Sequence, residues 1–301
     1  MRFLIISCLF LICISCKDKF REKKEIKLEC KVGIQPVKKV LFVGWDGVRT
    51  DAMELADTPC LDTLIQHSYY HTATNRGAYT VSVPGWSTIL HGVWPAKHNL
   101  ETNAFDNNDY YNYPDIFTLA RRVKPELSCA TLSNWQDFLR ITENENYAQR
   151  YDSDAAVTTD ALMVINDCTP DIMLLHFDKP DHIGHSSGFS PTNPDYLSAI
   201  SQCDMLLSEI MTVIEEREAS LNEEWMVVVT TDHGGAGTTH ANQYYVEETR
   251  YIWFVARTPN KNGATYLNNP TPSIIDLLPT MLKWLDIDVD PVWDLDGVAV
   301  Y

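Results

Sequence analysis

The 301-residue sequence predicts an α/β fold, a mostly parallel central sheet with helices on both faces. Three observations predict it. Short apolar runs alternate with segments of helical spacing along most of the chain. The run at 225–230 (WMVVVT) is β-branched and bounded by polar residues, as a buried strand should be. Carboxylates follow strand ends at Asp46, Asp181 and Asp232, and sheets of this kind bind ligands beyond the carboxyl ends of their strands.

Taken in order, residues 40–44 form the first strand, ending at Trp45-Asp46-Gly47. Leu61, Leu64 and Ile65 give 59–67 the spacing of a helix. Residues 85–93 form another, with Pro84 in its first turn. A helix over 116–122 precedes a strand over 128–132, and a helix over 154–166 precedes a strand over 171–177. A long helix over 193–218 leads into the 225–230 strand. A strand over 251–256 and a helix over 272–285, interrupted at Pro279, close the chain.

Apolar content of 45% is that of a soluble globular protein, and the length allows one large core or at most two. A formal charge of −17 excludes nucleic-acid polymers and anionic membrane surfaces as partners. A small anion remains compatible, provided bound metal ions reverse the local field. Residues 1–15 read as a signal peptide, since the apolar stretch from Phe3 is shorter than the ~20 residues of a membrane span. The sequence Cys13-Ile14-Ser15-Cys16 resembles a bacterial lipoprotein signal, with Cys16 the lipidated first mature residue. An ordinary cleaved signal is the alternative. Residues 16–36 would then be a polar tether and 37–301 the folded domain, exported and held at a membrane only through its lipid. Of the eight cysteines, Cys30, Cys60, Cys129, Cys168 and Cys203 lie beyond the signal. None forms a CxxC pair, which disfavours a cysteine-based zinc site and leaves a disulfide among them open.

The richest segment is 231–240, TDHGGAGTTH. Asp232 and His233 stand side by side at a strand end, and a Gly-rich loop returns His240 toward them. Imidazole nitrogen and carboxylate oxygen together suit a zinc-type ion, although Asp-His-Gly alone is equally a polar turn. Asp181 and His185 are four apart after the 171–177 strand, a spacing that can chelate one metal or belong to a solvated loop. Ser82 stands at a helix entrance, where it serves as an N-cap or as a nucleophile facing an anion-binding helix end.

Together these blocks resemble the alkaline phosphatase superfamily, most closely its type I phosphodiesterase/nucleotide pyrophosphatase branch. The resemblance rests on Asp46-Gly47, Ser82-Val-Pro84, Gly92-Val-Trp-Pro95-xx-His98, Pro180-Asp181-xx-Gly184-His185, Asp232-His233-Gly234 and His240. It implies an alkaline-phosphatase-like fold and two zinc ions, or other divalent transition metals. One would be held by Asp181, His185 and His240. The other would be held by Asp46, Asp232 and His233 together with Ser82, the nucleophile. Asn103, with the backbone N–H after Ser82, would hold phosphoryl oxygens. The implied partner is a small phosphorylated substrate such as a nucleotide. The branch usually has threonine where this chain has Ser82, and glycine where it has Asn99. Sulfatases share the fold, but their x-Pro-x-Arg is missing from Ser82-Val-Pro84-Gly-Trp86. The expected activity is hydrolysis of phosphodiesters or nucleotide pyrophosphates. The alternative is a phosphomonoesterase or phosphonate hydrolase on the same metals. A non-catalytic binding lipoprotein is disfavoured by the complete set of ligand-type residues. A monoesterase needs a cation near the nucleophile, and Arg49, Arg76 and Arg140 are the candidates. Trp135 offers a flat surface to an esterified group, or packs in the core.

Overall fold

The computed structural model describes residues 37–168 and 170–301, with the side chain of Cys168 also outside the description. The predicted signal, Cys16, the tether and Cys30 lie outside the described residues. The strands are β1 (Val37–Trp45), β2 (Ser68–Asn75), β3 (Cys129–Ser133), β4 (Tyr147–Arg150), β5 (Ile172–Phe177), β6 (Glu223–Thr230), β7 (Tyr251–Arg257) and β8 (Thr265–Tyr266). They form one 8-stranded sheet in the order β4-β3-β5-β1-β6-β7-β2-β8.

β4, β3, β5, β1 and β6 run parallel, as the strand–helix alternation predicts. β7 runs antiparallel to β6, and β2 antiparallel to β7. The reversal follows from the connection. Residues 231–250 carry the Asp232–His240 segment along one end of the sheet and include no helix long enough to carry the chain back across a face. β2 (SYYHTATN) is not among the predicted strands. It has no apolar run, only the tyrosines and threonines that a half-buried strand accepts.

Alternation along the strands divides the interior into two cores. Leu41, Val43 and Trp45 face one, with the helices Pro59–Ile65, Asp154–Cys168 and Pro194–Leu221. Val40 and Phe42 face the other, with Ser82–His91, Ile116–Val123 and Leu277–Trp284. Helices therefore cover both faces. The closing helix changes character before Pro279, not at it: Ile274–Asp276 is 3₁₀ and Leu277–Trp284 is α. Pro279 then sits in the first α turn, where its missing N–H costs no hydrogen bond. Cys60, Cys129 and Cys203 are free thiols, so no disulfide joins these three, and burial raises the pKa of each.

Register places the site. Trp45 pairs with Phe177, and Gly44 with Thr230, so β1, β5 and β6 end level with one another. Asp46, the segment starting at Asp178, and Asp232 all begin just beyond that line.

Candidate active site

The helix Ser82–His91 starts at Ser82 itself, with Val81 as an extended N-cap. Ser82 is therefore not the N-cap, and its hydroxyl is free for other work. Oγ lies 3.2 Å from Nε2 of His233. Thr80, the neighbouring hydroxyl, donates to the carbonyl of His240 and is committed to that loop.

Three imidazoles are oriented in the same way. Nδ1 of His233 lies 2.8 Å from the Gly234 carbonyl, that of His240 2.6 Å from the Thr80 carbonyl, and that of His185 2.9 Å from the Thr238 carbonyl. A carbonyl only accepts, so each Nδ1 carries the proton and each Nε2 presents a lone pair, the arrangement usual for metal-binding histidine. Nε2 of His185 and Nε2 of His240 then face each other at 3.0 Å. Two lone pairs at that distance repel unless a cation lies between them.

The carboxylates converge on the same space. Asp232 Oδ2 is 3.3 Å from His233 Nε2, and Asp46 Oδ1 is 3.6 Å from it. Asp181 Oδ2 is 3.3 Å from His185 Nε2, and its Oδ1 is 3.6 Å from His240 Nε2. Asp46 Oδ1, Asp181 Oδ1 and Asp232 Oδ2 are buried with no hydrogen-bond partner. Buried carboxylate oxygens left unpaired are costly, and a divalent ion removes that cost. Donor chemistry, unpaired oxygens and opposed lone pairs all fit a metal ion with nitrogen and oxygen ligands.

Electrostatics agrees. Burial would raise the pKa of Asp46, but the His176 hydrogen bond, the neighbouring His233 and His176 rings and the Trp86 N–H outweigh it and hold Asp46 well below the usual range. Burial, reinforced by the charges of Asp46 and Asp178, pushes Asp181 well above that range. Burial and the Asp46 charge do the same to Asp232, against the opposing pull of Arg76. Burial lowers His233 and His240. Without added positive charge, these carboxylates cannot all ionise together.

The predicted residues thus come together, with two adjustments. The sets Asp181/His185/His240 and Asp46/Asp232/His233 are not cleanly separate. The His233 and His240 rings stack at 3.7 Å, and His233 also falls within 4.8 Å of the ligand atoms of Asp181 and His240. The Val83 N–H, expected to face a phosphoryl oxygen, instead donates to Asn103 Oδ1 at 2.9 Å. That bond fixes the Asn103 amide with its NH₂ pointing away from Val83, so Asn103 alone retains donors for a substrate.

Gly47 permits a close approach to Asp181. Its φ is +68°, and a Cβ there would lie 2.6 Å from Asp181 Oδ1. The sequence reading missed His176 and Trp86, which both bond Asp46 Oδ2, at 2.9 and 3.0 Å. A histidine inside the apolar run of β5 was the available signal, because a buried imidazole needs a partner.

The sheet, its helices and the placing of the site at the strand ends define an alkaline-phosphatase-like fold. Solved structures with this fold include a murine ectonucleotide pyrophosphatase/phosphodiesterase 5, inactive and in complex with AMP. It has a TM-score of 0.58 and 14% identity, over 86% of this chain and 99% of that one. A 2-O GAG sulfatase gives a TM-score of 0.69 and 13% identity, over 88% of this chain and 73% of that one. The profile of the type I phosphodiesterase / nucleotide pyrophosphatase family matches residues 119–273, just over half of the sequence, and the chain belongs to that family. The matched span contains Asp181, His185, Asp232, His233 and His240 and begins after Asp46 and Ser82. A 2,3-bisphosphoglycerate-independent phosphoglycerate mutase of Haloquadratum walsbyi is 29% identical over 134 residues, 44% of this chain and 25% of the mutase. An uncharacterized pyrophosphatase/phosphodiesterase of Schizosaccharomyces pombe is 20% identical over 71% of this chain and 46% of that protein. The alignments therefore span less than half the length of these relatives.

Proposed function

We propose that this chain is a two-zinc hydrolase that cleaves phosphodiesters or nucleotide pyrophosphates through a covalent intermediate on Ser82. The observation that carries the preference for diesters is where three arginines go. A monoester dianion has one more charged oxygen than a diester, and its enzymes place a cation against it. Arg49 spends Nε and Nη2 on Asp51, at 2.8 and 2.6 Å, and Nη1 on the carbonyls of Phe189 and Gly235. Arg76 is buried behind the site, donating to the carbonyls of Asp232 and Ala78. Arg140 pairs with Asp137 at 2.9 Å and stacks on Phe105. Arg49 and Arg140 are thus paired with carboxylates, which leaves the Nη2 of Arg76, buried beside Gly85, as the unpartnered donor of the three.

Asp181, His185 and His240 would hold one zinc, and Asp46, Asp232 and His233 the other. Bound there, the ions supply charge neutralisation for the attacking and leaving oxygens and lower the pKa of a nearby hydroxyl. Ser82 attacks phosphorus, forming an Oγ–P bond as the bond to the leaving alcohol or phosphate breaks. Water then cleaves the Oγ–P bond and restores the hydroxyl. Asn103 donates its NH₂ to a non-bridging oxygen. The structurally similar protein in complex with AMP supports a nucleotide as substrate.

The test is the ratio of kcat/KM for an aryl phosphodiester against the matching aryl monoester. The diester should be preferred; a monoester preference that disappears in Arg49→Ala would reverse the assignment. Export with lipidation at Cys16 belongs to the same proposal. It predicts that Cys16→Ala loses lipid labelling, and unchanged detergent partitioning would refute it.

A further inference from the structure

We infer that His176 is a positioning residue that fixes the Asp46 carboxylate as a one-oxygen metal ligand. The inference rests on the two-metal reading. His176 stands on β5 directly opposite Gly44 of β1. Gly44 has no side chain, and a Cβ there would lie 2.6 Å from the Trp86 ring. Trp86 and His176 occupy the space over that glycine and both reach Asp46, two residues further along the chain, just past the end of β1.

Their N–H groups converge on one oxygen. Asp46 Oδ2 takes Nε2 of His176 at 2.9 Å and Nε1 of Trp86 at 3.0 Å, while Oδ1 is left unpartnered. With Oδ2 held from two sides, the carboxylate cannot rotate to offer both oxygens inward. Oδ1 alone faces the space shared with Asp232 and His233. Two donors on a single oxygen select which oxygen binds and hold it there before a metal arrives.

The environment of His176 suits this task. The ring is fully buried among Phe138, Trp86 and Trp135, with centroids 4.6, 5.4 and 5.8 Å away. Its Nδ1 has no hydrogen-bond partner, so its one hydrogen bond among the described residues goes to Asp46. A carboxylate only accepts, which places the His176 proton on Nε2. The aromatic walls exclude water that would compete for Oδ2. Trp135, half-buried, packs against this imidazole on one side and against the cluster of Val83, Leu100 and Tyr110 on another.

The experiment titrates metal-free full-length protein with zinc against a chromogenic chelator, comparing wild type, His176→Phe and His176→Gln. Phe keeps the aromatic packing and removes the N–H; Gln keeps an N–H donor near the Nε2 position. In His176→Phe, one of the two zinc affinities should fall ~10–100-fold while the other is unchanged, and His176→Gln should recover most of the loss. Two unchanged affinities in His176→Phe would overturn the inference. So would equal losses in both variants that track a lowered melting temperature, since packing would then be the whole role. A wild type that binds no zinc would instead refute the two-metal reading and take this inference with it.

Discussion

The two groups of ligand-type residues are built differently. The inner group, Asp46, Asp232 and His233, has side chains at most 1% exposed. These residues stand at the ends of β1 and β6, whose register is fixed along the length of the sheet. In the outer group, exposure rises to 43% for His185 and 14% for Asp181. Asp181 and His185 ride on the short helix Lys179–Ser187, and His240 on a loop. The inner group is thus preorganised by the sheet, while two of the three outer residues ride on a short, more exposed helix, His240 itself being buried with its side chain 6% exposed. The inner site should therefore bind metal tightly and exchange it slowly, with the outer site as the adjustable one.

Substitution is the strongest way to break this comparison. Asp232→Asn should lower turnover ~10⁴-fold and remove one zinc, because it also exposes the partners of a fully buried group to mispairing. His185→Ala should lower turnover ~10²-fold and leave the inner zinc in place. Elemental analysis after dialysis against a chelator separates the two. If His185→Ala loses both metals and Asp232→Asn loses none, the order of the sites is reversed.

How far the sequence conveyed this is clear from particular residues. Asp46, Asp181, Asp232 and His233 were legible because each follows a strand end, where an α/β sheet collects its ligands. His185 followed from its spacing to Asp181. His176 was legible only as a buried imidazole in need of a partner; that the partner is Asp46 depends on its register opposite Gly44, which the sequence does not reveal. The engagement of Val83 N–H by Asn103 was likewise hidden, since it joins segments 20 residues apart through a loop of irregular backbone. The antiparallel β7 and the polar β2 depend on tertiary pairing that period alone does not encode.

The smallest effect concerns a histidine belonging to neither group. His98 closes the Pro95-xx-His98 turn, where its Nδ1 accepts from the Leu100 N–H at 3.2 Å and its Nε2 lies 3.0 Å from the Thr88 hydroxyl. Burial, with the nearby His91 adding to it, pushes this imidazole down from the usual 6.5 to about 3. The folded pKa is depressed, so the unfolded chain binds the proton first. Stability from this group is complete above pH 6.5 and falls as the pH drops toward 3, by at most about 1.4 kcal/mol per pH unit. Denaturant unfolding from pH 7 to 4 should show a shallower decline in His98→Asn than in wild type. Equal slopes would remove His98 from the account and leave acid sensitivity to the two ligand groups.

The central claim is that Ser82, beside the inner group, carries the phosphoryl group. The most direct measurement is acid quench of the enzyme during turnover of a nucleotide or aryl phosphodiester, followed by peptide mass spectrometry. A phosphoryl or nucleotidyl adduct on Ser82, absent in Ser82→Ala protein that retains its metal, is the predicted result. An adduct on Thr80, or turnover that persists in Ser82→Ala, would contradict it.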